Sequence, residues 1–275
     1  MNCPICNQSS SPIHKIQGYT ILACQKCGHQ FIPKLHHPNE IEKIFDDSYF
    51  FGDVEYSDYL HNNQTLVKQG EWYAKLLHSY CKPGRLLDVG AAAGFLLKGF
   101  TSQNWKGMGL EPNASMVRYG KERLGLNMKQ GYLENSQLDQ IFDLITMVQV
   151  LPHFYDIRQA LENLTKITRP GSLLLIETWD RNSLIAKIFG KRWHEYNPPS
   201  ARHWFTKGEV ITLLKQYHFE LMDMGRPAKK IDSSRIRSRI SKKPGYKWLS
   251  NLIPKGIQLP YFGDDLFWAI FRKTS

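Results

Sequence analysis

From residue 82 to residue 225 two apolar patterns alternate along the chain. Short continuous apolar runs end at small or acidic residues: RLLDV before Gly90, GMGLE before Pro112, FDLITMV at 142–148 and SLLLIET at 172–178. Such runs read as strands buried on both faces of a parallel sheet. Between them FLLKGF (95–100), ASMVRYGKERLG (114–125) and IRQALENLTKIT (157–168) repeat their apolar positions at helical spacing. The helix boundaries carry their own signals. Asn113 and Asp156 are placed as N-caps, Arg169-Pro170-Gly171 ends the last of these helices, and Thr206 with Glu209 has the form of a capping box. HFELMDMG (218–225) and DDLFWAIFRK (264–273) supply two closing strands. The pattern predicts an α/β chain with a doubly wound sheet.

The first strand–helix turn carries candidate chemistry. Asp88 is followed by Gly90 and Gly94 around three alanines. Small residues keep the turn shallow and let a ligand lie against exposed N–H groups at a helix start; tight packing is the alternative reason for the same residues. The spacing D-x-G-x-x-x-G departs from the dinucleotide pattern G-x-G-x-x-G and lacks the G-K-[ST] of a phosphate loop. Glu111 ends the next strand, about 20 residues after the glycines, where an acid is placed to accept from ribose hydroxyls.

LLDVGAAAGFLL, GLEPNASMV, FDLITMVQVLPHFYD and LTKITRPGSLLLIET, in this order and spacing, resemble the successive motifs of class I S-adenosylmethionine-dependent methyltransferases. The resemblance implies a seven-stranded, Rossmann-like doubly wound sheet ending in an antiparallel hairpin, with S-adenosyl-L-methionine as cofactor. Under it Gly90, Ala92 and Gly94 approach the methionine part, Asp88 orients the loop or the cofactor's amino group, and Glu111 takes the ribose. The Leu133 backbone, with Glu134 beside it, lies near the adenine; Gln149 lies beside the methionine end or the acceptor. His153 aligns with the histidine of the family's Glu-His pair and is the candidate catalytic base, with pocket lining as its alternative. Pro152 stands where that pair has its glutamate, which weakens a carboxylate–histidine mechanism. His194 and His203 are second choices. Methyl transfer from a sulfonium is an in-line displacement, so orienting the reactants and excluding water matter most.

Cys3-Pro-Ile-Cys6 and Cys24-Gln-Lys-Cys27 have the spacing of a four-cysteine zinc site. Asn7 and Gly28 follow the pairs, where a left-handed residue closes each turn. IHKIQGYTILAC between them reads as two short strands. So small a module buries too little to fold alone, so Zn2+ supplies folding energy. Four thiolates leave no open coordination position, which makes the zinc structural. Two disulfides are the alternative, against which a cytoplasmic chain argues. Cys81 has no partner by spacing. A ribbon joined to these motifs resembles a bacterial methyltransferase subgroup with an N-terminal zinc ribbon. The expected organisation is a zinc ribbon (1–35), a helical linker and cofactor lid (36–81) with helices at 37–47 and 64–80, and a methyltransferase domain (82–275). Insertions fall at 181–205 and 226–262. The first is amphipathic at SLIAKIF (183–189) and aromatic beyond it. In the subgroup its W…PP…H…F pattern helps form the acceptor pocket.

A hydrophobic content of 42% suffices for a globular core, and no apolar run approaches the ~18 residues of a membrane span. MNCPIC does not read as a signal peptide, so the expected location is the cytoplasm, with peripheral contact at a membrane left open. The net charge of +11 is uneven. Residues 1–60 hold Lys15, Lys26, Lys34 and Lys43 against seven acids. Residues 226–247 hold Arg226, Lys229, Lys230, Arg235, Arg237, Arg239, Lys242, Lys243 and Lys247 against Asp232. Such a segment suits a polyanion, an anionic membrane surface or a phosphorylated substrate; a solvated loop is the alternative. The leading expectation is methyl transfer to an O or N atom of a small-molecule or lipid- or glycan-linked acceptor. An RNA methyltransferase using the basic segment for phosphate contacts is the second reading. Against it stand the acidic front and the absence of a D-P-P-Y or N-P-P-Y tetrad, since Asn197-Pro-Pro-Ser200 lies far from the fourth strand. A non-catalytic protein whose ribbon recruits a partner is the third, and the intact set of Asp88, Gly90, Gly94 and Glu111 argues against it.

Overall fold

The computed structural model describes residues 1–33, 63–227 and 263–275, and between them residues 44, 46–47, 230–233, 237, 251–252, 254 and 257–261. Apart from those positions, the expected 37–47 helix, the aromatic 48–61 segment and the basic stretch beyond residue 227 lie outside the described residues. The chain divides into two compact units, one of Met1–Arg226 with Asp264–Ser275 and one of Pro227–Gly263.

The first unit opens with three strands, β1 (Ser10–Ile16), β2 (Tyr19–Cys24) and β3 (Gln30–Phe31), paired antiparallel in sequence order. The expected ribbon strands are present, and Asn7 (φ 60°) and Gly28 (φ 75°) adopt the left-handed conformation anticipated after each cysteine pair. Next come α1 (Asn63–Leu77), β4 (Arg85–Val89), α2 (Phe95–Thr101), β5 (Lys106–Glu111), α3 (Ala114–Leu124) and β6 (Met128–Gln130). They are followed by β7 (Leu144–Val148), a 3-10 turn at Leu151–His153, α4 (Ile157–Lys166) and β8 (Leu173–Trp179). After β8 stand α5 (Leu184–Phe189), a second 3-10 turn at Gly190–Arg192, β9 (His203–Trp204), α6 (Lys207–Lys215) and β10 (Phe219–Gly225). The capping signals hold: Asn113 accepts from the Met116 N–H, Asp156 from the Gln159 N–H, and Thr206 and Glu209 complete a capping box on α6. The second unit contains β11 (Lys230–Asp232) and β12 (Gln258–Pro260), an antiparallel pair. The chain returns to the first unit with β13 (Leu266–Lys273).

The main sheet has seven strands in the order β10-β13-β8-β7-β4-β5-β6. Strands β6 to β8 of that order run parallel, while β13 lies antiparallel to both β8 and β10. This is the predicted doubly wound sheet with its terminal hairpin. Successive strand residues face opposite sides: Leu87 packs in one buried cluster with Ile145, Leu161 and Leu174, while Leu86 packs in another with Tyr73, Leu97 and Trp268. The chain leaves β4 toward β5 and β6 on one side and places β7 and β8 on the other. The crevice at such a switch point, at the carboxyl ends of the strands, is where ligands bind in open α/β sheets.

One pairing lies beyond the sequence pattern. β9, from the 181–205 insertion, forms the fourth strand of the ribbon sheet, with Gln30 opposite Trp204 and Phe31 opposite His203. Ribbon residues Ile5, Leu22 and Phe31 share one buried cluster with Phe154, Phe205 and Leu213 of the α/β part. The ribbon and the α/β part therefore bury a common core.

Candidate active site

The turn after β4 and the end of β5 lock together. The Glu111 carboxylate accepts from the Ala92 N–H at 2.8 Å and from the Asn113 N–H at 2.9 Å. Burial outweighs these two bonds and pushes its pKa up to about 7. Asp88 is 2% exposed. One of its oxygens accepts from the Thr146 hydroxyl at 2.6 Å, and the other, Oδ2, is buried with no hydrogen-bond partner among the described residues. Burial raises Asp88 to about 7; the Thr146 bond opposes the rise and the Glu111 charge adds to it. A buried, half-satisfied carboxylate is costly unless a donor or a positive charge completes it.

The loop differs from its expected form in one respect. The N–H groups of Gly90 and Ala91 bond to the Leu110 carbonyl, that of Ala92 to Glu111, and that of Gly94 to the Ala91 carbonyl. Of the expected cradle of exposed N–H groups, those of Gly90, Ala91 and Ala92 are taken up by β5, and that of Gly94 is satisfied within the turn. What the loop offers a ligand is a shallow surface between two carboxylates. Gly90 (φ 66°) is required for its conformation and for space, since a Cβ there would stand 2.5 Å from Val150 Cγ2.

Beyond Glu111 a cavity of ≈ 630 Å³ is lined by Asp47, Pro112, Asn113, Gly131, Tyr132 and Asn135, among others. Leu133 and Glu134, the expected adenine neighbours, follow Tyr132 but do not line the cavity. The Leu133 side chain is buried and its carbonyl accepts from Asn163 Nδ2 at 2.9 Å; buried Glu134 accepts from the Tyr155 N–H. Asp47, which sequence reasoning missed, accepts from Asn113 Nδ2 and Ser115 Oγ and forms part of this wall. Nothing in its local sequence distinguishes it from neighbouring Asp46.

Gln149 occupies the left-handed region (φ 59°). Its backbone N–H donates to the Glu177 carbonyl at 2.7 Å and its side-chain amide to Glu177 Oε1 at 2.8 Å. Glu177, fully buried at the carboxyl end of β8, also accepts from Gln69 Nε2 and the Tyr73 hydroxyl. This network was not foreseen; the one hint was an acid inside the apolar run SLLLIET. His153 Nδ1 lies 2.7 Å from the Ser200 carbonyl. Burial lowers its pKa from the usual 6.5, opposed by the backbones of Ser200 and Gln149, so the ring is neutral at pH 7.

His203, a second-choice base in the sequence, is buried beside the ribbon. Its Nε2 faces the Phe154 carbonyl and its Nδ1 faces His29 Nε2, each at 3.1 Å. A carbonyl can only accept, so His203 carries its proton on Nε2 and His29 donates to Nδ1. His194 lies within 3.3 Å of the Glu195 carboxylate.

The four expected metal ligands converge. The sulfurs of Cys3, Cys6, Cys24 and Cys27 all lie within 4.8 Å of one another. Cys3–Cys27, Cys6–Cys24 and Cys6–Cys27 are 3.6, 3.4 and 3.5 Å apart. Tetrahedral zinc with Zn–S bonds of ≈ 2.3 Å places sulfurs roughly 3.8 Å apart, whereas a disulfide needs about 2.05 Å. The cysteines are free thiols. Burial pushes Cys3 up to about 11, while at Cys24 the N–H bonds from Cys27 and Lys26 overcome burial and lower the thiol to about 6. Crowded sulfurs with opposed protonation tendencies suit a divalent cation that takes all four as thiolates. Cys81, apart from this group, is raised to about 11 by burial and by the Asp143 charge, and so is a poor nucleophile.

A family profile described as a methyltransferase domain matches residues 59–223, more than half of the chain. The chain belongs to the methyltransferase domain family. Among curated proteins, this methyltransferase is 27% identical over 152 residues to a ubiquinone biosynthesis O-methyltransferase of Nitrobacter winogradskyi, covering 51% of this chain and 56% of that protein. A protein of the same name from Rickettsia prowazekii is 24% identical over 152 residues, 51% of this chain and 60% of the relative. The chain thus spans about half the length of the curated relatives it matches. Among solved structures, magnesium protoporphyrin IX methyltransferase from Synechocystis with bound S-adenosylhomocysteine superposes with a TM-score of 0.57 at 12% identity, over 86% of this chain and all of that one. A Thermotoga maritima S-adenosylmethionine-dependent methyltransferase gives 0.56 at 21% identity, over 87% of this chain and all of that one. These likenesses establish the fold.

Proposed function

We propose that the protein transfers a methyl group from S-adenosylmethionine to an oxygen or nitrogen atom of a small-molecule or lipid-linked acceptor. The observation that carries this reading is the pair of buried carboxylates, Asp88 with an unpartnered Oδ2 and Glu111 bonded to the Ala92 N–H, at the ends of the adjacent strands β4 and β5. When bound, S-adenosylmethionine supplies an already activated methyl group. Asp88 Oδ2 then accepts from the cofactor's amino group, and Glu111 accepts from ribose hydroxyls. Gly90, Ala92 and Gly94 give the methionine part a surface without bulk. The Leu133 segment borders the adenine. Gln149, pinned by Glu177, and neutral His153 stand on the acceptor side. His153 can take the proton that an attacking hydroxyl or amine releases. The curated relatives are named for O-methylation, which favours oxygen as the accepting atom.

Zinc is the proposed occupant of the four-cysteine site, in a structural role. Peripheral contact with an anionic membrane draws support from α5 and the turn after it. Leu184, Ile188 and Phe189 are 64%, 69% and 53% exposed, and Lys187, Lys191 and Arg192 are exposed beside them. No helix of the described residues is long and apolar enough to cross a membrane.

Calorimetric titration of the metal-replete protein with S-adenosylmethionine and S-adenosylhomocysteine tests the cofactor reading. Micromolar binding is expected, and a folded protein that binds neither sinks it. Transfer of a labelled methyl group to a panel of phenols and amines then separates oxygen from nitrogen acceptors.

A further inference from the structure

Each half of the metal centre is gripped by an arginine from the α/β part. Arg158, at the start of α4, donates to the Pro4 carbonyl at 2.5 Å and the Cys3 carbonyl at 3.3 Å. Arg181, just after β8, donates to the Gly28 carbonyl at 3.1 Å and pairs with Glu209 at 2.7 Å. Both guanidinium groups hold backbone carbonyls of the two cysteine turns, Arg158 in the first and Arg181, itself paired with Glu209, in the second.

Residues 200–205 form a strap that touches both the ribbon and the turn that carries His153. On one side β9 pairs with β3, and the Arg202 carbonyl accepts from the Ile32 N–H at 3.0 Å. On the other side the same strap holds the 3-10 turn that carries His153. The Arg202 N–H donates to the Pro152 carbonyl at 2.8 Å, His203 Nε2 bonds to the Phe154 carbonyl, and the Ser200 carbonyl lies 2.7 Å from His153 Nδ1. β9 has only two residues, and two-stranded pairings this short are not stable by themselves. Its register depends on β3, which follows the second cysteine pair by two residues.

We infer that metal in the four-cysteine centre positions the acceptor wall of the active site: it fixes β3, β3 fixes the 200–205 strap, and the strap fixes His153. Arg158 and Arg181 are positioning residues in this linkage. The inference rests on the proposed acceptor-side location of His153. The cofactor loop is independent of the linkage, because Asp88, Gly90 and Glu111 are held by β4, β5 and β7.

Hydrogen exchange of the full chain, with and without a thiol-competitive zinc chelator, tests this. Removing the metal is expected to speed exchange at least tenfold at 150–154 and 200–205 as well as at 2–31. Strands 86–89 and 106–111 stay protected, and the Kd for S-adenosylhomocysteine stays within twofold. Loss of protection confined to 2–31 overturns the inference. So does loss that also takes 86–111, because the metal would then hold the whole fold and not this wall. A second arm keeps all four cysteines: Arg158→Ala with Arg181→Ala is expected to speed chelator extraction of the metal at least fivefold without changing S-adenosylhomocysteine affinity. An unchanged extraction rate overturns the role of the arginines. Failure of the native chain to bind S-adenosylhomocysteine sinks the cofactor reading alone and leaves the exchange result standing.

Discussion

Glu111 accepts two backbone N–H bonds and still titrates near pH 7, because its burial penalises the charged form more than the bonds favour it. Ribose hydroxyls donate to the ionised carboxylate. In the proposed complex Asp88, also raised to about 7, ionises over the same range, so S-adenosylhomocysteine binding tightens as pH rises from about 5 to about 7, by about tenfold per unit for one carboxylate and up to about a hundredfold for both, and levels off above the pKa. Calorimetry across that range checks the slope; tighter binding at low pH would mean that the acid form is the partner. For folding the sign reverses. A carboxyl held above its usual value stabilises the free protein below about 4.5, and that contribution is lost as pH rises through about 7. Glu111→Gln is expected to weaken binding roughly 10- to 100-fold, the worth of about 1.5–3 kcal/mol for a hydrogen bond to a charged group. Gly90→Ala is expected to cost about 1–3 kcal/mol by urea unfolding, from its positive φ and the contact with Val150. Adding Val150→Ala recovers the contact part and leaves the φ part.

At the scale of elements, one helix is tied to the sheet by a buried carboxylate. Gln69 and Tyr73 stand four residues apart on one face of α1, and both donate to Glu177 on β8. Burial, with the Glu177 charge, holds the Tyr73 hydroxyl well above 10, so it remains a donor across the working pH range. Tyr73→Phe leaves Glu177 short of a donor and is expected to cost about 1–3 kcal/mol. Thermal unfolding measures it, and an unchanged midpoint would show that Gln69 and Gln149 suffice. The cap of α6 is a smaller effect. Thr206→Ala opens the capping box, and a loss of about 1 kcal/mol is expected.

The whole molecule presents an apolar and basic edge on α5, whose side chains leave water only if something covers them. For the proposed membrane contact, Ile188→Ser with Phe189→Ser is expected to reduce co-sedimentation with phosphatidylglycerol vesicles by about fivefold or more. The unfolding midpoint should hold, because both side chains are exposed. Undiminished sedimentation would remove α5 from the interface.

The sheet, its helices and their caps were legible in the sequence because each follows from a local rule: apolar period, capping side chain, strand-ending acid. The cysteine quartet was legible for a similar reason, since a tetrahedral ion restricts spacing within each pair. Tertiary structure alone decided what those parts do to one another. Two-residue β9 has no periodicity to read, yet it completes the ribbon sheet. Gln149 is an ordinary polar residue until β8 brings Glu177 beside it. The N–H groups of Gly90, Ala91 and Ala92 are free donors in any local reading and become occupied only because β5 lies alongside. Pairings between segments distant in sequence depend on packing, and a local pattern carries no record of which segments will meet.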